Sequence, residues 1–218
     1  MQAHGGDGGR LVLRLPGSWV QLDPTRPEVT ATRIHNYATL TVGRADNLSR
    51  TRAQVRRLLS GVLEHSRPRT GLQSLFLCHE LLAGVPAPIA IAVFAPADVH
   101  LSPVLGTEPQ HVIDAFLAAM DALGDTAGWQ RRDCVDGCSV RRWRVTAARP
   151  DSTGDGADDD GTATSDTGVG TFSATYWRTV PGSKQLMLIT VTSVLTQDVE
   201  VMVRLADAVV AGSRMSWA

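Results

Sequence analysis

Cys134 and Cys138, in the run "CVDGC", are the first groups whose type and spacing could do chemistry. Two neighbouring thiols can cycle between dithiol and disulfide, or supply half of a zinc site. Which is open depends on the turn between them. A two-residue turn at Asp136 and Gly137 pairs Val135 with Cys138 and sends the thiols to opposite faces. A three-residue loop, with Gly137 left-handed, sets Cys134 opposite Cys138. The first register opposes Arg132 to Arg141 and Arg131 to Arg142; the second leaves only Arg131 against Arg141 and sets Trp129 against Trp143. Opposed like charges destabilise a ladder, and an aromatic pair adds up to about 1 kcal/mol, so the three-residue loop is expected. A zinc site needs two further ligands. Cys78 and His79 are adjacent on a strand, point to opposite faces and cannot both serve. The two thiols are read first as small, partly buried side chains, with a redox pair as the alternative. No metal or cofactor is implied.

The same hairpin and the one after it carry Arg131, Arg132, Arg141, Arg142, Arg144 and Arg178 among Trp129, Trp143, Tyr176 and Trp177. Guanidinium groups interleaved with aromatic rings on a sheet suit an anionic ligand or stacked bases. They also suit an outer strand pair blunted by arginine, its tryptophans packed under helices. The second reading is the simpler. The candidate surface for an anion or a partner is therefore the six arginines with Trp143 and Trp177.

Catalytic signatures are missing from the sequence. It contains no nucleophile elbow, phosphate loop, dinucleotide-binding glycine pattern or His-Glu-x-x-His. The sole lysine, Lys184, falls in the turn "PGSKQ". His79 and Glu80 in "CHE" lie within an apolar strand and diverge, which suits a satisfied histidine better than an acid–base pair. His35, His65, His100 and His111 are scattered. The arginines of "RTRAQVRR" read as the solvated face of a helix. No catalytic residue is assigned.

The stretch "RPDSTGDGADDDGTATSDTGVG", 149 to 170, holds six aspartates and no large apolar side chain. A calcium loop framed with Gly161 sixth begins at Gly156 and ends at Thr167, so it lacks the first carboxylate and the bidentate glutamate. A flexible insert is expected over 149–169, because such a composition cannot offset the entropy of being ordered. Its aspartates could screen Arg141, Arg142 and Arg144 from polyanions.

These groups must be positioned by the rest of a 218-residue chain that is 43% apolar, enough for one sizeable core. Twenty arginines against one lysine reflect the composition of a GC-rich bacterium. Net charge is −1, and without the six aspartates of the acidic stretch the rest carries about +5, which does not imply nucleic acid. There is no run suited to a membrane helix and no export signal, so a cytoplasmic protein with reduced thiols is expected, with a disordered tail at 1–10.

A strand is expected from Leu11 to Leu15, stopped by Pro16 and Gly17, with Trp19 beyond it as a packing anchor. "TRPE" has capping-box spacing ahead of "VTATRIHNYATLTV", where threonines compete with helical spacing; a helix is expected. A second helix carries Val55, Leu58, Leu59, Val62 and Leu63 as one apolar stripe. Strands "GLQSLFLCHELL" and "APIAIAVFAP" follow, then a helix from 109 to about 123 with Val112, Phe116, Ala119 and Met120 facing in. After the arginine hairpin, "TFSATYWRTV" and "KQLMLITVTSV" form another, and a last helix runs from about 198 to 214. Consecutive hairpins give an α+β fold: an antiparallel β-sheet of about six strands flanked by helices, one domain over 11–218.

"LRLPGSW", "LLAGVPAPIAIAVF" and the closing "YWRTVPGSKQLMLITVTSVLTQDVEVMVRLADAVVAGSRM" resemble a group of uncharacterised actinobacterial cytoplasmic proteins. More distantly they are similar to the PsbP-like fold, including the mycobacterial LpqN-type proteins. The resemblance lies in the order of elements rather than in a motif, and covers the chain outside 149–169. It implies a sheet between helical layers and an accessory or adaptor role, for some such proteins beside type VII secretion. It supplies no catalytic residues, and the LpqN-type export signal has no counterpart here. A non-enzymatic adaptor that binds a protein partner is the leading expectation, with an anion or nucleic-acid binder as the alternative.

Overall fold

The computed structural model describes residues 9–66, 71–97, 99, 101, 106–125, 127–147 and 170–217. The expectations for the insert at 149–169 and for most of the N-terminal tail fall outside the described residues.

Pro16 and Gly17 split the first apolar run into β1 (Arg10–Val12) and β2 (Ser18–Leu22). One strand through Leu15 was expected. Instead Trp19 lies inside the second strand, and its indole N–H donates to the Pro16 carbonyl at 2.6 Å. Gly17 has φ +80°, and a Cβ there would run into the Glu80 carbonyl oxygen, so the turn requires glycine.

α1 (Pro27–Val42) takes the threonine-rich segment. Thr32, Thr39 and Thr41 donate their hydroxyls to carbonyls four residues back, which satisfies those groups within the helix. Thr25 does not cap it. Both its N–H and hydroxyl donate to Asp23 Oδ1, and Arg26 occupies the capping position without a side-chain bond. α2 (Ser49–Ser66) follows. Its stripe is narrower than expected: Leu63 is buried, Val55 and Leu59 are half-buried, and Leu58 and Val62 are exposed.

β3 (Leu72–Leu82), β4 (Val85–Pro86) and β5 (Ile89–Phe94) pair antiparallel. α3 (Pro109–Ala122) buries Val112, Ile113 and Phe116 and leaves Ala119 exposed, contrary to expectation. The two hairpins are β6 (Gln130–Cys134) with β7 (Gly137–Thr146) and β8 (Thr171–Thr179) with β9 (Leu186–Ser193). α4 (Val199–Ala211) ends three residues before the expected Arg214. Ser213 turns back there, its hydroxyl donating to the Val210 carbonyl at 2.6 Å. Arg214 opens β10 (Arg214–Ser216), which pairs with β1 in a small separate ribbon.

The fold is α+β. The main sheet has eight antiparallel strands, ordered β2-β3-β5-β9-β8-β7-β6 with β4 added to β3, against the six or so expected. The extra strands are a two-residue β4 and a β2 concealed behind the Pro-Gly break. Helices cover both faces. On one, Met202, Ala206, Val209 and Val210 of α4 pack on Phe172, Ala174, Tyr176, Ile189 and Val191. On the other, Ile34 and Leu63 of the first two helices cover Leu72, Leu75 and Leu77, while α3 covers Cys138, Val140 and Leu186. Each fully buried Leu, Ile or Phe contributes about 1.5–3 kcal/mol. No helix among the described residues is long and apolar enough to cross a membrane.

Candidate functional site: the arginine hairpins

The hairpin adopts neither expected register. Cys134 pairs with Gly137, Asp133 with Cys138 and Gln130 with Arg141, so the turn residues are Val135 and Asp136. The reason lies outside the hairpin. The Val135 N–H donates to the Ala211 carbonyl at 3.0 Å, at the end of α4. The Asp136 carboxylate accepts from the Arg178 guanidinium and, at 2.8 Å, from the Met215 N–H of β10. These tertiary partners fix the turn and override the local preference for Gly137 in a left-handed position.

The thiol pairing that the three-residue loop would have produced is thereby corrected. Side chains along this ladder alternate faces, which sends Cys134 to the α4 core and Cys138 to the α3 core. Burial raises both thiol pKa values, and that of Cys78. Trp129 likewise does not meet Trp143. The Arg142 guanidinium carbon sits 4.6 Å from the Trp129 ring centroid instead, a cation–π contact.

The sheet divides the six candidate arginines. Arg132, Arg141 and Arg178 lie on the α4 face with Trp143; Arg131, Arg142 and Arg144 lie on the α3 face with Trp177. Each helix supplies carboxylates. Asp114 takes Arg131, and Asp125, just beyond α3, takes Arg142. Asp207 on α4 binds Arg141 and, at 3.3 Å, Arg132, and accepts from the Tyr176 hydroxyl at 2.8 Å. Trp177 is half-buried and packs against Phe116 with ring centroids 5.1 Å apart.

Two of these arginines are interior groups rather than surface ones. Arg178 is 0% exposed and Arg141 4%. Arg178 also donates to the Thr179 carbonyl at 3.0 Å and the Ser213 carbonyl at 3.3 Å, while Arg141 reaches Gln130. The Nε atoms of both have no hydrogen-bond partner. A buried guanidinium is tolerable only when paired, and here Asp136 and Asp207 pair them. Burial, then the hydrogen bond to Asp207 and the repulsion of its carboxylate, push the Tyr176 pKa far up, so this phenol is a neutral donor. The cluster clamps α4 and β10 to the sheet.

Asp136 and Asp207 were missed by sequence reasoning. Asp207 had a signal: it is the acidic residue on the inward side of "MVRLADAVV", flanked by buried Ala206, Val209 and Val210. Asp136 had none, because its partners are 42 and 79 residues away.

What the clamp leaves open is the far end of β7. β6 ends its pairing at Gln130 opposite Arg141, whereas β8 accompanies β7 to Thr146. Among the described residues, 142–146 therefore have a strand on one side only. Trp143 is 42% and Val145 40% exposed on one face. Arg144, exposed on the other, has no ionic or hydrogen-bonding partner among the described residues. A recess of about 360 Å³ beside it is lined by Arg142, Trp143, Arg144, Ser173 and Thr175.

A second concavity of about 460 Å³ lies by Tyr37, Leu40, Cys78, His79, Glu80 and Pro88. Although neighbours on a strand diverge, His79 Nε2 approaches Glu80 Oε1 to 3.9 Å next to an irregularity in the β3–β4 pairing. His79 Nδ1 is buried without a partner. The Tyr37 hydroxyl donates to the Cys78 carbonyl at 3.5 Å, and burial followed by the nearby Cys78 thiol raises the Tyr37 pKa. Among the described residues no group of three or more His, Cys, Asp or Glu is placed to hold a metal ion.

No protein-family model matches the chain, and no curated protein matches it. Among solved structures, the chain is similar to LpqN, described as involved in cell envelope biogenesis of Mycobacterium tuberculosis. The two are 8% identical over 98% of this chain and 87% of that one, with a TM-score of 0.42.

Proposed function

We propose that the protein is a non-enzymatic binding or adaptor protein whose protein partner docks on the outer end of β7. The observation that carries this reading is the exposure of Trp143 and Val145 beside Arg144, which has no partner among the described residues. Tryptophan and arginine dominate the binding energy of protein interfaces, and an exposed apolar pair flanked by an exposed guanidinium is the composition of such a surface. The interior points the same way. Burial raises the thiols and the phenols of Tyr37 and Tyr176, opposite to the direction that activates a nucleophile.

The anion or nucleic-acid reading has less support. Arg131, Arg132, Arg141, Arg142 and Arg178 each engage a carboxylate within the chain, which leaves, of these six and among the described residues, Arg144 for a polyanion. A polyanion site needs several phosphate contacts to gain useful affinity. Affinity purification of the full chain from its native host separates the two. A stoichiometric protein partner whose binding Trp143→Ala weakens about ten-fold is the expected result, an ordinary loss for an aromatic interface anchor. Salt-sensitive nucleic acid, unaffected by Trp143→Ala, would overturn it. The finer role implied by the actinobacterial resemblance, a cytoplasmic accessory of type VII secretion, is decided by the identity of that partner.

A further inference from the structure

We infer that the free edge of β7 at residues 142–146 accepts an extended strand from the partner, one in which acidic and apolar side chains alternate. This rests on the adaptor reading above and specifies the partner's chemistry. A strand with a neighbour on one side only presents a row of unpaired backbone N–H and C=O groups, and proteins usually hide or blunt such edges. Here residues 143–147 are all exposed, and within the strand Arg144 is the only charge among them. An edge left long, accessible and flanked by apolar side chains is the substrate of β-strand addition, where the backbone gives affinity and alternate side chains give specificity.

The side chains set the incoming sequence. Trp143 and Val145 project from one face of the strand and Arg144 from the other. Side chains directly across a ladder share a face. An added strand therefore places apolar groups beside Trp143 and Val145 and a carboxylate beside Arg144. The Ser173 and Thr175 hydroxyls line the recess on the Arg144 side and offer further donors to an acidic side chain.

Two other occupants fit less well. Antiparallel pairing of two copies about a two-fold axis normal to the sheet sets Arg144 beside the Arg144 or Arg142 of the second copy, where opposed like charges are destabilising, or beside its Thr146, which offers no carboxylate. The chain's own acidic stretch, 149 to 168, offers carboxylates without large apolar partners for Trp143 and Val145.

The test uses the full chain and labelled synthetic peptides at low salt, read by fluorescence anisotropy, with amide hydrogen exchange at 142–146 as a second readout. One peptide alternates valine with glutamate, one alternates valine with lysine, and one has the valines and glutamates segregated. The glutamate alternation should bind about ten-fold or more tighter than the lysine one, because like charges set across an interface repel. It should also slow exchange at 142–146. Arg144→Glu should reverse the preference and Arg144→Lys should keep it, which guards against a mere loss of folding. Equal affinity for all three peptides, or a preference indifferent to Arg144→Glu, overturns the inference. So does self-association of the chain through this edge, or binding seen only after deletion of 151–168. If the peptides fail while an isolated partner still binds the parent chain and Trp143→Ala weakens that binding, the edge inference falls and the adaptor reading stands.

Discussion

Removing the carboxylate of Asp207 should unfold more than its partial exposure suggests. Asp207→Ala strips Arg141, which is 4% exposed, of its only carboxylate among the described residues and Tyr176 of its acceptor. Breaking a buried ion pair from one side costs about 3–5 kcal/mol, and orphaning a buried hydroxyl about 1–3. The two losses share one side chain and do not add. The carboxylate itself keeps some solvent contact, with 25% of its side chain exposed, so about 3 kcal/mol is the expected total. For a chain of this size that lowers Tm by roughly 6–12 °C. Denaturant titration followed by circular dichroism and tryptophan fluorescence gives the number, provided both probes report one transition. Asp207→Asn keeps an acceptor for Tyr176 and should retain most of the loss. The double change Asp207→Leu, Arg141→Met removes both charges and should recover much of it, with a coupling above about 1 kcal/mol. A single Asp207→Ala chain within about 0.5 kcal/mol of the parent, or strict additivity with Arg141→Met, would refute the buried-pair argument.

Three further outcomes follow from the same packing. Under mild oxidant all three thiols should stay free and alkylate slowly at neutral pH, Cys134 fastest because it is only half-buried; a disulfide between Cys134 and Cys138 in mass spectra would contradict the register. Gly17→Ala should destabilise by about 2–3 kcal/mol in chemical denaturation, since it combines a left-handed backbone with a clash against the Glu80 carbonyl. Burial alone would raise the Asp23 pKa, but hydrogen bonds from Thr25 and the Arg10 guanidinium hold it below its ordinary 3.8. The stability this supplies is present above that value and lost as pH falls below it, so Asp23→Asn should flatten the acid limb of the stability–pH curve; an unchanged limb would contradict the assignment.

Local pattern carried the fold and failed at the site. The alternation in "APIAIAVF" and "TFSATYW" and the apolar spacing of Val112 and Phe116 gave the strands and helix that the structure contains. Boundaries set by single residues went astray where a long-range partner took over. Thr25 turned to Asp23 rather than capping α1. Ser213 and the pairing of β1 with β10 ended α4 early. The arginines show the limit best. Their type and spacing read as a surface, but which of them are neutralised depends on Asp114, Asp125, Asp136 and Asp207, and no periodicity links those positions. The exposed end of β7 was hidden for a related reason: strand lengths are legible in sequence, whereas the stagger between β6 and β7 is set by a turn fastened from outside.

That fastening also orders events during synthesis. Arg132 leaves the ribosome 75 residues ahead of Asp207, which at ordinary elongation rates is about 4–15 s. Until then the guanidinium group of Arg141 cannot be enclosed without an unmatched charge, whereas Arg178 already has Asp136, so the nascent sheet must stay hydrated around Arg141. Closure waits for Asp207, and a stop codon shortly before it should yield a chain that chaperones or proteases recognise as unfinished.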